Sequence, residues 1–163
     1  MIMPPRGHVL DGVSSHTFNH TSSLTYLEPA GLRNSVGVGE HPVTGGIYSV
    51  ENSGDEIHRD GVDVHTDNPG EEMNFHGTFL NNQFKGQGGN YGYPNCFTAW
   101  DATALPNNQN IRTGTPFSNS SNLDYLCKGT IAPRLTFQAH SAPLDVKFNN
   151  TGKEGWVTFH GSW

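Results

Sequence analysis

An acidic segment at residues 67–74 carries the clearest donor set for a metal ion. Its sequence is DNPGEEMN, so its potential ligands are carboxylates, amide oxygens and exposed backbone carbonyls around Pro-Gly. Ca²⁺ prefers hard oxygen donors of this kind, although the segment lacks the spacing of an EF-hand. These residues by themselves favour a solvated acidic turn over a calcium site, and both interpretations stay open at this point.

The nine histidines raise the question of a transition-metal site. His16 and His20 are four residues apart, whereas His58, His65 and His76 are spread over polar segments. A zinc site needs three or four converging ligands held by further hydrogen bonds. The first pair lies in a segment without a helical pattern and has no acidic partner between its members, so we expect no transition metal there.

The composition favours an all-β fold. Glycine is abundant, Asn, Ser and Thr are frequent, and strong helix formers are sparse, a mixture that suits short strands joined by turns. The net charge of −6 comes without any basic run, which argues against nucleic-acid binding. We find neither a signal peptide at the N-terminus nor an apolar stretch approaching the roughly 20 residues that span a bilayer.

Two cysteines, Cys96 and Cys127, permit one disulfide, although two unpaired thiols in a reducing compartment would fit the count as well. N-glycosylation sequons begin at Asn19, Asn119 and Asn149. Such short patterns arise often by chance, but together with the cysteine pair they favour secretion.

Two hairpins are predicted from alternating apolar residues around a Thr-Gly turn. The first covers residues 35–50 and the second residues 142–159. They fit two blades of a β-propeller, or two unrelated hairpins of another all-β domain. Between them we expect ordered site loops at 55–74 and 81–95 and a mobile surface insertion at 105–122.

Short motifs follow one another along residues 31–163: GLRNSVG at 31–37, HPVTGG at 41–46, the acidic segment, GNYGYP at 89–94, HSAPLD at 140–145 and FHGSW at 159–163. Each is weak alone, but their order is specific. The set resembles the glucose/sorbosone dehydrogenases that depend on pyrroloquinoline quinone (PQQ), and within them the fungal pyranose dehydrogenase branch.

The resemblance implies a six-bladed propeller in which PQQ lies over the central channel beside a Ca²⁺ ion. Arg33 and Asn34 would contact the cofactor, since a guanidinium and an amide suit its carboxylates and quinone oxygens. His140 aligns with a polar position that flanks the cofactor. Calcium would be held mainly by backbone carbonyls near Asn68 and Pro69.

The resemblance also implies oxidation of a sugar and an external electron acceptor such as a cytochrome. A histidine base would remove the proton of the anomeric hydroxyl while hydride passes to PQQ. His8, in the segment MPPRGHV, is the candidate base. An exposed histidine in a disordered start is the alternative, because the strand expected after Val9 and about 50 residues of propeller before Arg33 are missing.

The length of the chain sets the expected domain organisation. Six blades of about 45 residues need at least ~270 residues, so 163 residues supply roughly three. We expect a divergent or mis-joined segment at 1–30, followed by a partial propeller at 31–163 that binds PQQ weakly or not at all by itself. A non-catalytic propeller-like module that binds carbohydrate or protein is the alternative function.

Overall fold

The computed structural model describes residues 31–79 and 83–161. These residues form ten β-strands, two short 3₁₀ helices at Ala102–Ala104 and Ser121–Gly129, and no α-helix. The strands are β1 Asn34–Glu40, β2 Gly46–Asn52, β3 His58–Arg59, β4 Val62–Asp63, β5 Glu71–Thr78, β6 Cys96–Thr98, β7 Pro116–Ser118, β8 Leu135–Phe137, β9 Pro143–Phe148 and β10 Gly155–Phe159. The all-β prediction is confirmed, and both predicted hairpins are present as β1–β2 and β9–β10.

The largest sheet has four antiparallel strands in the order β1-β2-β5-β8. This is the strand number of one propeller blade. Its first hairpin turns at Thr44-Gly45-Gly46, where Gly45 adopts a φ of 65° that a glycine accepts without strain. The His41 amide closes the turn on the Gly46 carbonyl at 2.8 Å.

One face of this sheet is apolar and packs on the β9–β10 hairpin. Val50 of β2 and Met73 of β5 are directly paired, and both are buried against Val146 of β9. Gly37 and Gly39 of β1 permit the close approach. A Cβ atom on Gly37 would lie 2.5 Å from the Asp145 Cα, and one on Gly39 would lie 2.6 Å from the Val146 carbonyl oxygen.

A second core lies beside the small β6–β7 sheet. Its buried members are Ile57, Val64, Phe97, Ala99, Leu105 and Phe117. The expectation of a surface insertion at 105–122 is therefore wrong, because Leu105 and Phe117 of that segment are buried here and β7 pairs with β6. The disulfide between Cys96 and Cys127 joins β6 to the Ser121–Gly129 helix, which decides between the two cysteine interpretations.

The acidic segment is not a solvated turn. Residues 71–74 begin β5, and Glu71, Glu72 and Asn74 are all buried. Turns occur in the polar segments 55–70 and 83–95, and Gly88 has a φ of 71°. No helix in residues 31–79 and 83–161 is long and apolar enough to cross a membrane. The predicted segment 1–30 lies outside the described residues, so the domain boundary stays a prediction.

Candidate functional site

Arg33 lies immediately before β1, and its contacts hold it against residues 51–55. Its backbone amide donates to the Glu51 carboxylate, and its guanidinium donates to the Ser53 carbonyl. A further contact of 3.5 Å joins Nη1 to the Asn52 carbonyl. Nη2 lies 3.3 Å from Oδ2 of Asp55. Asn34, the other predicted cofactor contact on β1, is exposed and pairs with Asn52 across the sheet.

His140 reaches the same place from the other end of the chain. Its Nε2 donates to the His65 carbonyl at 2.5 Å, and its Nδ1 lies 3.7 Å from Oδ1 of Asp55. Its backbone φ is 60°, a left-handed value that is uncommon for a non-glycine residue and clusters at functional sites. The structure therefore brings Arg33 and His140 together, with Asp55 between them.

Glu71 connects the loop that carries Asp55 to the loop that carries His140. The buried Glu71 carboxylate accepts a hydrogen bond from the Ser53 amide at 2.6 Å. It also accepts one from the Ala142 amide, and burial raises the pKa of its carboxyl despite these bonds. The side chain of Asn52 adds a further link by donating to the Pro143 carbonyl at 3.0 Å.

Asn68 and Pro69, the predicted calcium residues, lie between β4 and β5 and are buried. Both ends of the Asn68 side-chain amide are engaged, since Oδ1 accepts from the Trp100 amide and Nδ2 donates to the Asp101 carbonyl, each at 2.8 Å. Within the described ranges, the backbone carbonyls of Asn68 and Pro69 accept no hydrogen bond. These two oxygens, and not the side chain, are the atoms that fit the predicted role. The described part of the chain holds no cluster of three His, Cys, Asp or Glu residues that could bind a metal.

The opposite face of the large sheet carries a buried carboxyl pair that sequence reasoning missed. Glu51 of β2 and Glu72 of β5 stand directly opposite each other. Burial, followed by the neighbouring Glu72 charge, raises the pKa of the Glu51 carboxyl to about 7. Burial likewise raises the pKa of Glu72, which accepts from the Thr98 hydroxyl at 2.6 Å and from the Asn74 amide at 3.0 Å. Alternating polar residues at 49, 51, 72 and 74 were the available signal.

The profile of the family described as TrAA12-like matches residues 12–163. The chain belongs to this family. Among curated relatives, a pyrroloquinoline quinone-dependent sugar dehydrogenase of Hypocrea jecorina (strain QM6a) is 51% identical over 137 residues, covering 81% of this chain and 31% of that protein. A pyrroloquinoline quinone-dependent pyranose dehydrogenase of Coprinopsis cinerea is 34% identical over 144 residues, covering 82% and 19%.

Solved structures agree. A Trichoderma reesei enzyme of carbohydrate-active family AA12, solved in iodide and calcium forms, gives a TM-score of 0.76 at 51% identity, covering 83% of this chain and 35% of that one in the iodide form. The holo pyranose dehydrogenase PQQ domain of Coprinopsis cinerea gives 0.70 at 34% identity, covering 83% and 34%. The predicted family and the predicted all-β, partial-propeller fold are confirmed. The chain spans about a third or less of the curated relatives' length.

Several site predictions stay untested by these findings. His8 lies outside the described residues, so the catalytic base is still a prediction. The same holds for cofactor contacts by Arg33, Asn34 and His140 and for calcium at Asn68 and Pro69, although the structure shows where these residues lie. Asp55 was missed because contacts between loops that lie far apart in the sequence leave no periodic pattern.

Proposed function

We propose that this chain is part of a PQQ- and Ca²⁺-dependent sugar dehydrogenase. The observation that carries the proposal is the convergence of Arg33 and His140 beside Asp55, at a loop cluster fixed by the buried Glu71. Two curated relatives are named as PQQ-dependent dehydrogenases of sugar or pyranose. Because the chain spans 31% of the first of them, we propose that residues outside it complete the cofactor site.

The donor set fits the proposed cofactor. PQQ is a tricarboxylated quinone, and Arg33 offers it a planar fork of N–H donors that suits a carboxylate or a quinone oxygen. Asn34 adds an exposed amide next to it, and the His140 ring adds a further polar contact. When bound, PQQ would supply the acceptor for a hydride removed from the sugar carbon.

The carbonyl oxygens of Asn68 and Pro69 fit Ca²⁺. Both are backbone oxygens without a hydrogen-bond donor in the described part of the chain, and hard oxygen ligands suit this ion. The Asn68 amide holds the carbonyls in place through its bonds to residues 100 and 101. Ca²⁺ is also named in one structure of the Trichoderma reesei relative.

The remaining parts of the proposal rest on family membership. His8 would take the proton of the anomeric hydroxyl as general base, and a small sugar would be the substrate. An external acceptor such as a cytochrome would take the electrons. Secretion is supported by the Cys96–Cys127 disulfide, since such bonds persist in oxidising compartments.

A PQQ titration tests the proposal. The quinone absorbance is followed while the chain is added in Ca²⁺ and, separately, in EDTA. We expect a Ca²⁺-dependent shift with affinity weaker than micromolar and without sugar oxidation, because the site is incomplete. Arg33→Ala should remove the shift, whereas Arg112→Ala, at an exposed arginine in a different loop, should retain it. Equal spectra in Ca²⁺ and EDTA would overturn the proposal.

A second candidate is a non-catalytic propeller-like module that binds carbohydrate or protein. The observation in its favour is the coverage of a third or less of the curated relatives' length. This candidate predicts no Ca²⁺-dependent change in PQQ absorbance, together with retention of the chain on a polysaccharide or partner column.

A further inference from the structure

Asp55 occupies the space between the Arg33 guanidinium and the His140 ring. Oδ2 lies 3.3 Å from Nη2 of Arg33, and Oδ1 lies 3.7 Å from Nδ1 of His140. The Asp55 side chain is 56% exposed, compared with 31% for Arg33 and 13% for His140. The carboxylate is thus the most accessible member of the cluster.

Neither neighbour needs Asp55 to hold its position. Arg33 keeps its backbone bond to Glu51 and its guanidinium contacts to the carbonyls of Ser53 and Asn52. His140 keeps the bond of 2.5 Å from Nε2 to the His65 carbonyl. Asp55 therefore acts on donors that other contacts already orient.

We propose that Arg33 and His140 form a carboxylate-binding pair, and that Asp55 is the internal carboxylate that an acidic ligand displaces. The ligand class is a small organic polycarboxylate, and the identification of that ligand as PQQ rests on the proposed function. Because Nε2 of His140 already donates to the His65 carbonyl, Nδ1 can donate to a carboxylate only in the imidazolium form of the ring. An incoming carboxylate needs Nη2 of Arg33 and this Nδ1, and its negative charge repels that of Asp55. Asp55 therefore lowers the affinity and selects for ligands that carry enough negative charge to replace it.

The other carboxylates near the site have partners of their own. The Glu71 carboxylate is buried and bonds to the Ser53 and Ala142 amides. Asp63 is engaged at 2.7 Å by the His65 ring. Asp55 is the carboxylate that bridges the pair within the described residues.

Calorimetric titration with benzene-1,2,4-tricarboxylate, a redox-inert probe, tests the proposal in the full chain. Asp55→Asn keeps the side-chain size and removes the charge. Exposed ion pairs contribute little each, so we expect binding that is about two- to fivefold tighter than in the wild type. Asp145→Asn is the matched control, because it removes another exposed carboxylate, which lies 3.2 Å from Lys147; the affinity of this variant should not change.

Histidine-ring ¹⁵N NMR supplies a second measurement. Asp55→Asn should shift the Nδ1 signal of His140, and the tricarboxylate should shift the same signal in the wild type as it replaces Asp55. The ring of His41, which contacts the Gly152 carbonyl at 2.9 Å, should show no change. A merely structural role for Asp55 would leave the ligand-induced shift unaltered by the substitution.

The outcomes separate this proposal from the proposed function. Unchanged or weaker tricarboxylate binding in Asp55→Asn, or no binding by either protein at millimolar probe, would overturn the displacement proposal. If the tricarboxylate binds as expected but PQQ shows no Ca²⁺ dependence, the carboxylate pair stands and the dehydrogenase assignment fails. If PQQ shows the Ca²⁺-dependent shift but the tricarboxylate does not bind Asp55→Asn more tightly, the dehydrogenase assignment stands and the proposed role of Asp55 fails.

Discussion

At the scale of single residues, Arg59 shows how a full charge is accommodated in a small core. Its side chain is completely buried, yet Nη1 and Nη2 bond to both carboxylate oxygens of Asp124 at 2.8 and 2.6 Å. Carbonyls of Pro106, Asn107 and Ser118 accept the remaining bonds. The guanidinium therefore cross-links segments that lie far apart in the sequence. Its hydrogen bonds replace the water contacts that it loses on burial.

Asp124→Asn tests how much the ion pair between Arg59 and Asp124 contributes to the free energy of unfolding. The substitution leaves a buried cation without its counter-charge, and breaking such a pair costs about 3–5 kcal/mol. We expect the urea midpoint to fall accordingly, with the free energy of unfolding measured by tryptophan fluorescence. Asp145→Asn, which removes an exposed pair with Lys147, should cost less than about 1 kcal/mol. Similar losses in both variants would contradict the assigned role of Arg59.

At the scale of elements, the large sheet has one apolar face and one polar face, and the two behave differently with pH. On the polar face, Glu51 and Glu72 are opposite neighbours in a buried environment. The pKa of Glu51 is raised to about 7 from an unfolded value of 4.5. Below pH 4.5 both states hold the proton and no stability is lost, whereas between about 4.5 and 7 the unfolded state ionises first and stability falls.

Glu51→Gln should flatten this pH dependence. A shift of this size corresponds to about 3 kcal/mol lost as pH rises through 7, and the amide cannot ionise. In the wild type the free energy of unfolding should fall between pH 5 and pH 8, and in Glu51→Gln this fall should be smaller by about 3 kcal/mol. A residual dependence on pH should remain, because the pKa values of Glu72 and Glu71 are also raised. Glu40→Gln, at an exposed position of β1, should leave the wild-type profile. An unaltered pH profile in Glu51→Gln would contradict a raised pKa of the Glu51 carboxyl.

Gly37→Ala tests the packing of β1 on β9. The new Cβ would lie 2.5 Å from the backbone Cα of Asp145, so two strands must separate, at a cost of about 1–3 kcal/mol. Thermal unfolding should show the loss. Gly129→Ala is the control, because nothing lies within 4 Å of its Cβ position. Equal stability of Gly37→Ala and the wild type would show that the strands can part freely.

Some elements of the fold could be predicted from local sequence patterns, and others could not. Both hairpins were predictable, because Thr-Gly turns flanked by alternating apolar residues are local signals. Segment 105–122 was misjudged, because two buried side chains, Leu105 and Phe117, suffice to anchor it while its average polarity indicates a surface. The acidic start of β5 was also taken for a solvated segment, because the burial of Glu71 and Glu72 depends on amide and hydroxyl donors from other segments.

At the scale of the whole molecule, the candidate site lies where two separately packed regions meet. Val50, Met73 and Val146 form one core, and the second core is built around Phe97 and Phe117. The loop 53–56 follows β2 of the first core and leads to Ile57 of the second. Motif order along the sequence located Arg33 and His140, but their convergence on Asp55 depends on both cores being formed.

The Cys96–Cys127 disulfide should stabilise the second core selectively. It closes a loop of 31 residues, for which chain entropy gives about 3–4 kcal/mol. On reduction we expect hydrogen exchange to accelerate in peptides covering β6, β7 and the Ser121–Gly129 helix, while β2 and β9 keep their protection because the first core holds no cysteine. The Cys96→Ala/Cys127→Ala variant treated with the same reductant controls for effects of the reagent and should not respond. Loss of protection that is uniform over both cores would show that they unfold as a single unit, and the Arg33–His140 pair would then depend on the disulfide as well.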